Sequence, residues 1–233
     1  LLIAVYSFEA IEDIRGQLLQ MNVPASKIKS IALEKEYLDT CMDQRMFWIQ
    51  DFANLVYEQK LEGNVAEAGV FRGDTAKYIN KFFLDRKLYL FDTFEGFDEA
   101  DVAYEIGLNN HNYNESQFTN KDLFANTNLE LLMQKMMYPK NIEICKGYFP
   151  ESAEGVEDVF VFVNLDMDLY LPMLAGLRFF WDKMIEGGCI LLHDYFHPEL
   201  PGVRKAVVDF ESERNISVQK ITIGDGCSIA LMK

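Results

Sequence analysis

Apolar residues along the chain fall into two alternating kinds of run. Val65–Val70, Leu88–Phe91, Ile142–Cys145, Val159–Leu165 and Cys189–Leu192 are short and apolar at most positions. Between them, apolar residues return at three- and four-residue steps in Glu9–Met21, Thr40–Leu61, Thr75–Phe83, Leu129–Met137, Pro172–Met184 and Val203–Arg214. A strand covered on one face alternates apolar and polar, whereas a strand covered on both faces does not. The pattern therefore predicts an α/β fold, a parallel sheet between two helical layers. Ile221–Met232, folded about Gly224-Asp225-Gly226, predicts a terminal antiparallel hairpin. The result is a Rossmann-like, mostly parallel sheet of seven strands. Glu62-Gly63 is expected to cap the long helix, and Glu186-Gly187-Gly188 to end the helix begun at Pro172.

Residues 1–37 stand apart. Leu1–Tyr6 and Lys27–Leu33 read as short strands around the Glu9–Met21 helix, a βαβ-like extension ahead of a main domain at 38–233. It looks like the end of a preceding unit. Thr93–Asn128 has the opposite character: it is polar, irregular and rich in Asn. Connections this long are usually binding loops or lids. His111 lies within it and is an expected substrate contact.

Ligands of open α/β sheets sit beyond the carboxyl ends of the strands. After the first strand of the main domain comes Glu67-Ala68-Gly69-Val70-Phe71-Arg72-Gly73-Asp74-Thr75. The glycines admit a ligand close to the backbone, and the helix that follows offers free N–H groups. This is not the G-x-G-x-x-G of dinucleotide binders. An acid here would repel a pyrophosphate but suits an ammonium or sulfonium. At the end of the next strand, Asp92 is placed to accept from ribose hydroxyls. Together the two favour S-adenosylmethionine.

Two later strand ends carry Asn164-Leu165-Asp166-Met167-Asp168-Leu169-Tyr170 and His193-Asp194-Tyr195. If the strands are neighbours, Asp166, Asp168, His193 and Asp194 crowd one corner of the cleft. Carboxylates so close need a compensating cation. Oxygen ligands with at most one imidazole suit Mg2+, with Mn2+ or Ca2+ as substitutes. The bland alternative has Asp166 capping the next helix and Asp194 paired with Arg204 or Lys205.

Charge and cysteines narrow the classes further. The formal net charge of −15 opposes binding to phosphate backbones and anionic lipid. No apolar run reaches the length of a membrane span. Cys41, Cys145, Cys189 and Cys227 are widely spaced, with no C-x-x-C pair, which points to reduced thiols in a cytoplasmic protein.

Several segments together resemble the macrocin O-methyltransferase (TylF-type) family of class I, S-adenosylmethionine-dependent methyltransferases. They are Val65–Gly73, Leu90-Phe91-Asp92-Thr93-Phe94-Glu95-Gly96-Phe97, Lys146-Gly147-Tyr148-Phe149-Pro150, Leu165–Tyr170, His193-Asp194-Tyr195 and Gly202–Val207. The match spans about residues 38–233. The resemblance implies metal-dependent methylation of a hydroxyl on a sugar or glycosylated metabolite. It assigns Glu67, Gly69 and Gly73 to the methionine end of the cofactor and Asp92 to the ribose. Val70, Arg72, Thr75, Thr93 and Gly147 join them as expected cofactor contacts. It assigns Asp166, His193 and Asp194 to Mg2+ or Mn2+, with Asp166 or Asp168 as base. Tyr170 and Tyr195 are expected at the acceptor. Sugar-modifying members carry two acids where this chain has His193-Asp194, so His193 is a direct ligand, a support for one, or the mark of a site that binds metal less tightly. The expected partner is a small sugar or glycosylated acceptor, with no nucleic acid and no membrane, and with self-association left open. The competing readings are a phosphorylated or lipid-linked glycan as acceptor, a nucleotide-linked oxidoreductase, and a binding module without chemistry.

Overall fold

The computed structural model describes residues 2–3, 8–30, 42–108, 124 and 127–233. Helices are α1 (Phe8–Gln20), α2 (Gln44–Glu58), α3 (Ala76–Phe82), α4 (Glu99–Leu108), α5 (Leu129–Lys135), α6 (Tyr170–Trp181) and α7 (Pro201–Arg214). Strands are β1 (Leu2–Ile3), β2 (Lys29–Ser30), β3 (Asn64–Ala68), β4 (Leu88–Asp92), β5 (Ile142–Lys146), β6 (Phe160–Leu165), β7 (Met184–Leu192), β8 (Gln219–Thr222) and β9 (Ile229–Met232). β1 and β2 pair in parallel as a small sheet of their own, bridged by α1.

The main sheet has seven strands in the order β5-β4-β3-β6-β7-β9-β8. All neighbours are parallel except β9, which is antiparallel to both β7 and β8. Chain order reverses between β3 and β6, and this switch opens a crevice at the carboxyl ends of the strands. Both faces of the sheet are covered. Val65, Leu88 and Leu90 pack with Met46, Ile49 and Val56 of α2 and with Ile79 of α3. Ala66, Tyr89 and Phe91 belong to the opposite core, with Leu177 and Phe180 of α6 and Phe210 of α7. Each such large side chain contributes roughly 1.5–3 kcal/mol by leaving water. β6 is buried at every position, which is why its sequence carries no alternation.

Three local expectations are corrected. Gly63 does not cap α2, which ends at Glu58. It has φ +114° beside β6, where a Cβ would come within 2.9 Å of the Val161 nitrogen. Glu186-Gly187-Gly188 does not end α6 but lies inside β7, beside a register shift in its pairing with β6. A Cβ on Gly188 would come within 3.0 Å of the Val161 carbonyl oxygen, so these glycines mark a bulge. Finally, Thr93–Asn128 is not irregular throughout, because α4 forms within it. Among the described residues, no helix is long and apolar enough to cross a membrane.

Candidate active site

A cleft of about 400 Å³ opens at the switch point. Glu67, Gly69, Val70, Arg72 and Thr75 line it from the β3–α3 turn, Asp92 and Thr93 from β4, and Gly147 from β5. Asp166 and Asp168 enter after β6, and His193 and Asp194 after β7. The parallel register of β3, β6 and β7 places these ends side by side.

The β3–β4 side is organised by backbone groups. Asp92 Oδ2 accepts from Val70 N–H at 2.7 Å and Phe71 N–H at 2.8 Å. Its Oδ1 accepts from Phe94 N–H at 2.7 Å. A carboxylate has about four acceptor sites, so one remains for a ligand. Phe71 and Phe94 are held at φ +48° and +55°, left-handed values that bulky residues rarely adopt. The glycines answer to packing more than to ligand approach. A Cβ on Gly69 would lie 2.0 Å from the Asp166 carbonyl oxygen, and one on Gly73 would lie 2.9 Å from Leu132. Gly73 faces α5 and is not part of the cleft wall. Lys135 of α5, with a wholly buried side chain, ties the turn down through Asp74 at 2.7 Å and the Arg72 carbonyl at 3.0 Å.

Glu67 is nearly fully buried. Its Oε1 accepts from Asn164 at 2.8 Å, while Oε2 is buried with no hydrogen-bond partner among the described residues. Burial and the neighbouring Asp166 charge push its carboxyl well above the usual carboxylate range. An ammonium in the cleft would supply the missing donor and a sulfonium the missing positive charge, so these residues fit a cationic cofactor.

The β6–β7 side is organised by charge. Asp166 accepts from Arg45 Nη1 at 3.0 Å and from His193 Nδ1 at 2.9 Å. His193 Nδ1 also lies 2.8 Å from Asp194 Oδ2. One oxygen from each of Asp166, Asp168 and Asp194 lies within 4.8 Å of the others. Burial opposes charge on all of them. At His193 the Asp166 charge and the two hydrogen bonds overcome burial and raise the imidazole to about 10. At Asp166 the His193 and Arg45 cations overcome burial and hold the carboxyl below its ordinary value. Asp168 is pushed well above its ordinary value by burial and by the Asp166 and Asp194 charges. His193 and Arg45 thus bring positive charge to the cluster, while burial and the neighbouring carboxylates disfavour ionisation of Asp168. The cluster's oxygen donors and its demand for positive charge fit a hard divalent ion.

The bland alternative finds no support in these contacts. Leu169 sits at the α6 N-cap position, with no side-chain cap bond. The Tyr170 N–H is taken instead by Glu105 of α4 at 2.9 Å. Arg204 stacks on Tyr195 and Lys205 bonds Asp209. Tyr170 and Tyr195, the expected acceptor contacts, lie outside the cleft wall. The Tyr170 hydroxyl is engaged by Asp209. His111 lies outside the described residues.

Three participants went unnoticed in the sequence. Arg45 reaches Asp166 and also Thr75, at 3.0 Å, from the first turn of α2. Glu105 accepts from both Tyr170 N–H and Gly202 N–H, at 2.9 and 3.0 Å. Cys227 Sγ lies 3.2 Å from Asp194 Oδ1, and burial together with that carboxylate pushes its thiol up to about 12. Arg45 interrupts an amphipathic helix and Glu105 lies three residues after the apolar Val102, which are weak signals. Nothing local marks Cys227.

The chain matches the macrocin O-methyltransferase (TylF) family over residues 36–230. It belongs to that family. This TylF-family chain is an S-adenosylmethionine-dependent O-methyltransferase. No curated protein matches it in sequence. Solved structures share its fold. The O-methyltransferase NovP superposes with a TM-score of 0.67 at 19% identity, covering 82% of this chain and 79% of its own. CalS11, calicheamicin methyltransferase, gives 0.61 at 16%, covering 96% and 90%. Its apo structure gives 0.53 at 16%, covering 99% and 96%.

Proposed function

We propose that this enzyme methylates a hydroxyl of a sugar or glycosylated metabolite and that it depends on a divalent ion, Mg2+ or Mn2+. The observation that carries the metal dependence is the cluster of Asp166, Asp168 and Asp194 oxygens within 4.8 Å of one another at the cleft. The sugar acceptor is supported by family membership and by CalS11, described as a TDP-rhamnose 3′-O-methyltransferase. A phosphorylated or lipid-linked glycan is the alternative acceptor. The free thiols of Cys145, Cys189 and Cys227 support a reducing, cytoplasmic setting.

Asp166 and Asp194 would hold the ion, and His193, bonded to both, would ligate it or orient those carboxylates. A bound divalent ion supplies the charge that lets the carboxylates ionise together and polarises a hydroxyl. Asp168 takes the acceptor's hydroxyl proton on a carboxylate oxygen. Glu67 faces the cationic end of the cofactor, while Asp92 offers its remaining acceptor site to the ribose. Val70, Arg72, Thr75, Thr93 and Gly147 wall the cofactor. Arg45, itself on the cleft wall, holds Asp166 through its guanidinium. Asp98, just before α4, and Asp101, in its first turn, border the cleft.

The test is methyl transfer from labelled S-adenosylmethionine to a panel of free, nucleotide-linked and lipid-linked sugars, with Mg2+ or with chelator. Transfer to a sugar hydroxyl that needs the metal supports the reading. Equal turnover in chelator refutes its metal part, and transfer only to non-sugar acceptors refutes the other.

A further inference from the structure

Asp194 faces two unlike neighbours. Its Oδ2 lies 2.8 Å from His193 Nδ1 and its Oδ1 lies 3.2 Å from Cys227 Sγ. One atom from each of His193, Asp194 and Cys227 lies within 4.8 Å of the other two. The first two residues follow β7, whereas Cys227 sits in the loop between β8 and β9. That loop is braced. The Asp225 carboxylate accepts from Cys227 N–H at 2.9 Å and from Ser228 N–H and Oγ at 2.8 and 2.6 Å. Phe196 N–H donates to the Cys227 carbonyl at 3.0 Å. Asp194 is held at φ +58°, a left-handed conformation that the surrounding contacts must maintain. The thiol is only partly buried, so an ion can reach it.

We propose that His193, Asp194 and Cys227 form an alternative metal site that takes a borderline divalent ion such as Zn2+ or Co2+ and shares Asp194 and His193 with the site proposed above. It rests on the functional reading above only where it predicts competition with Mg2+. Tetrahedral zinc bonds of roughly 2.0 Å to nitrogen or oxygen and 2.3 Å to sulfur set ligand separations of about 3.3 Å for N···O and 3.5 Å for S···O. The observed separations are 2.8 and 3.2 Å. The two distances end on different Asp194 oxygens, so Asp194 either spans the ion with both or turns to present one, with a further position left to water. A thiolate and an imidazole favour such an ion over Mg2+, which prefers oxygen. As the metal–sulfur bond forms, the Sγ proton leaves to solvent. A proton on the ligating His193 nitrogen leaves likewise. An ion bound here draws Asp194 away from Asp166 and Asp168, so the two occupancies exclude each other.

The full chain is titrated with Co2+ alone and followed by absorption. The expected result is a thiolate-to-cobalt charge-transfer band in the near ultraviolet that Zn2+ displaces. Cys227→Ser keeps a hydrogen-bond donor for Asp194 but removes the band, and it weakens Zn2+ binding in calorimetry by on the order of 100-fold or more. Asp166→Asn keeps the band, because Asp166 lies outside the set, while losing Mg2+ affinity. No band in the wild type, or unchanged Zn2+ affinity in Cys227→Ser, overturns the proposal. A band in an enzyme whose methyl transfer ignores Mg2+ refutes the functional reading alone. Mg2+-dependent transfer without a band refutes this inference alone.

Discussion

The two sides of the cleft solve the same electrostatic problem differently. At the end of β4, Asp92 is satisfied by three backbone N–H groups, from Val70, Phe71 and Phe94. At the ends of β6 and β7, Asp166, Asp168 and Asp194 have one another, and among the described residues His193 and Arg45 bring positive charge. Backbone dipoles are fixed and cannot be titrated, so Asp92 needs no ion to keep its shape. The β6–β7 side depends on mobile protons and on whatever cation is present. One side is satisfied by the backbone, and the other is balanced by two side-chain cations.

The comparison can be broken at its most exposed point first. Asp166→Asn should lower kcat by about 10³-fold while calorimetric affinity for S-adenosylmethionine stays within a few-fold. An equal loss of cofactor affinity would mean that the two sides are not separable. Chelation should come next, lowering turnover of the wild type by about 10²-fold, restored by Mg2+, with cofactor affinity unaffected. Metal-independent turnover would leave the acidic cluster without its proposed role. Asp92→Ala acts on the other side: it strands three N–H groups and should cost about 2–3 kcal/mol in urea unfolding, together with roughly tenfold weaker cofactor binding. Unchanged affinity would sink the ribose assignment, and unchanged stability would sink the view that Asp92 braces the turn.

The smallest effect tests the anchor beneath the β3–β4 side. Burial lowers Lys135 from 10.5 to about 8. The unfolded chain then holds this proton more tightly than the folded one. Stability rises with pH wherever the unfolded state binds more protons. The penalty is therefore complete below pH 8 and fades between 8 and 10.5. Relative to Lys135→Met, the wild type should gain in urea midpoint across that window. A constant difference between the two proteins would show that Lys135 is not so perturbed.

Much of the site was legible in order but not in reason. Glu67, Asp92, Asp166 and Asp194 could be found because strand ends are ligand positions in this fold class, and each follows an apolar run. The glycines were found too, yet Gly69 is needed for the close approach of the Asp166 carbonyl and Gly73 for Leu132. A positive-φ position looks the same in sequence whichever atom crowds it. Tyr170 and Tyr195 are adjacent to site residues in the chain, but neither lines the cleft, and the Tyr170 hydroxyl is engaged by Asp209. Sequence neighbourhood does not fix side-chain direction where a strand gives way to a turn.

The sequence by itself determined the layered α/β plan, the seven-strand sheet with its antiparallel end and the chemical type of the residues at the strand ends. Those follow from local periodicity and from one-way burial, which each segment expresses alone. Tertiary structure decided the partnerships. Arg45 and Asp166 are 121 positions apart, Glu105 and Gly202 are 97 apart, and Asp194 and Cys227 are 33 apart. No periodicity links such pairs, because what joins them is the packing of helices onto one sheet. Through them acids from two distant strand ends become one cluster with its own counter-charges.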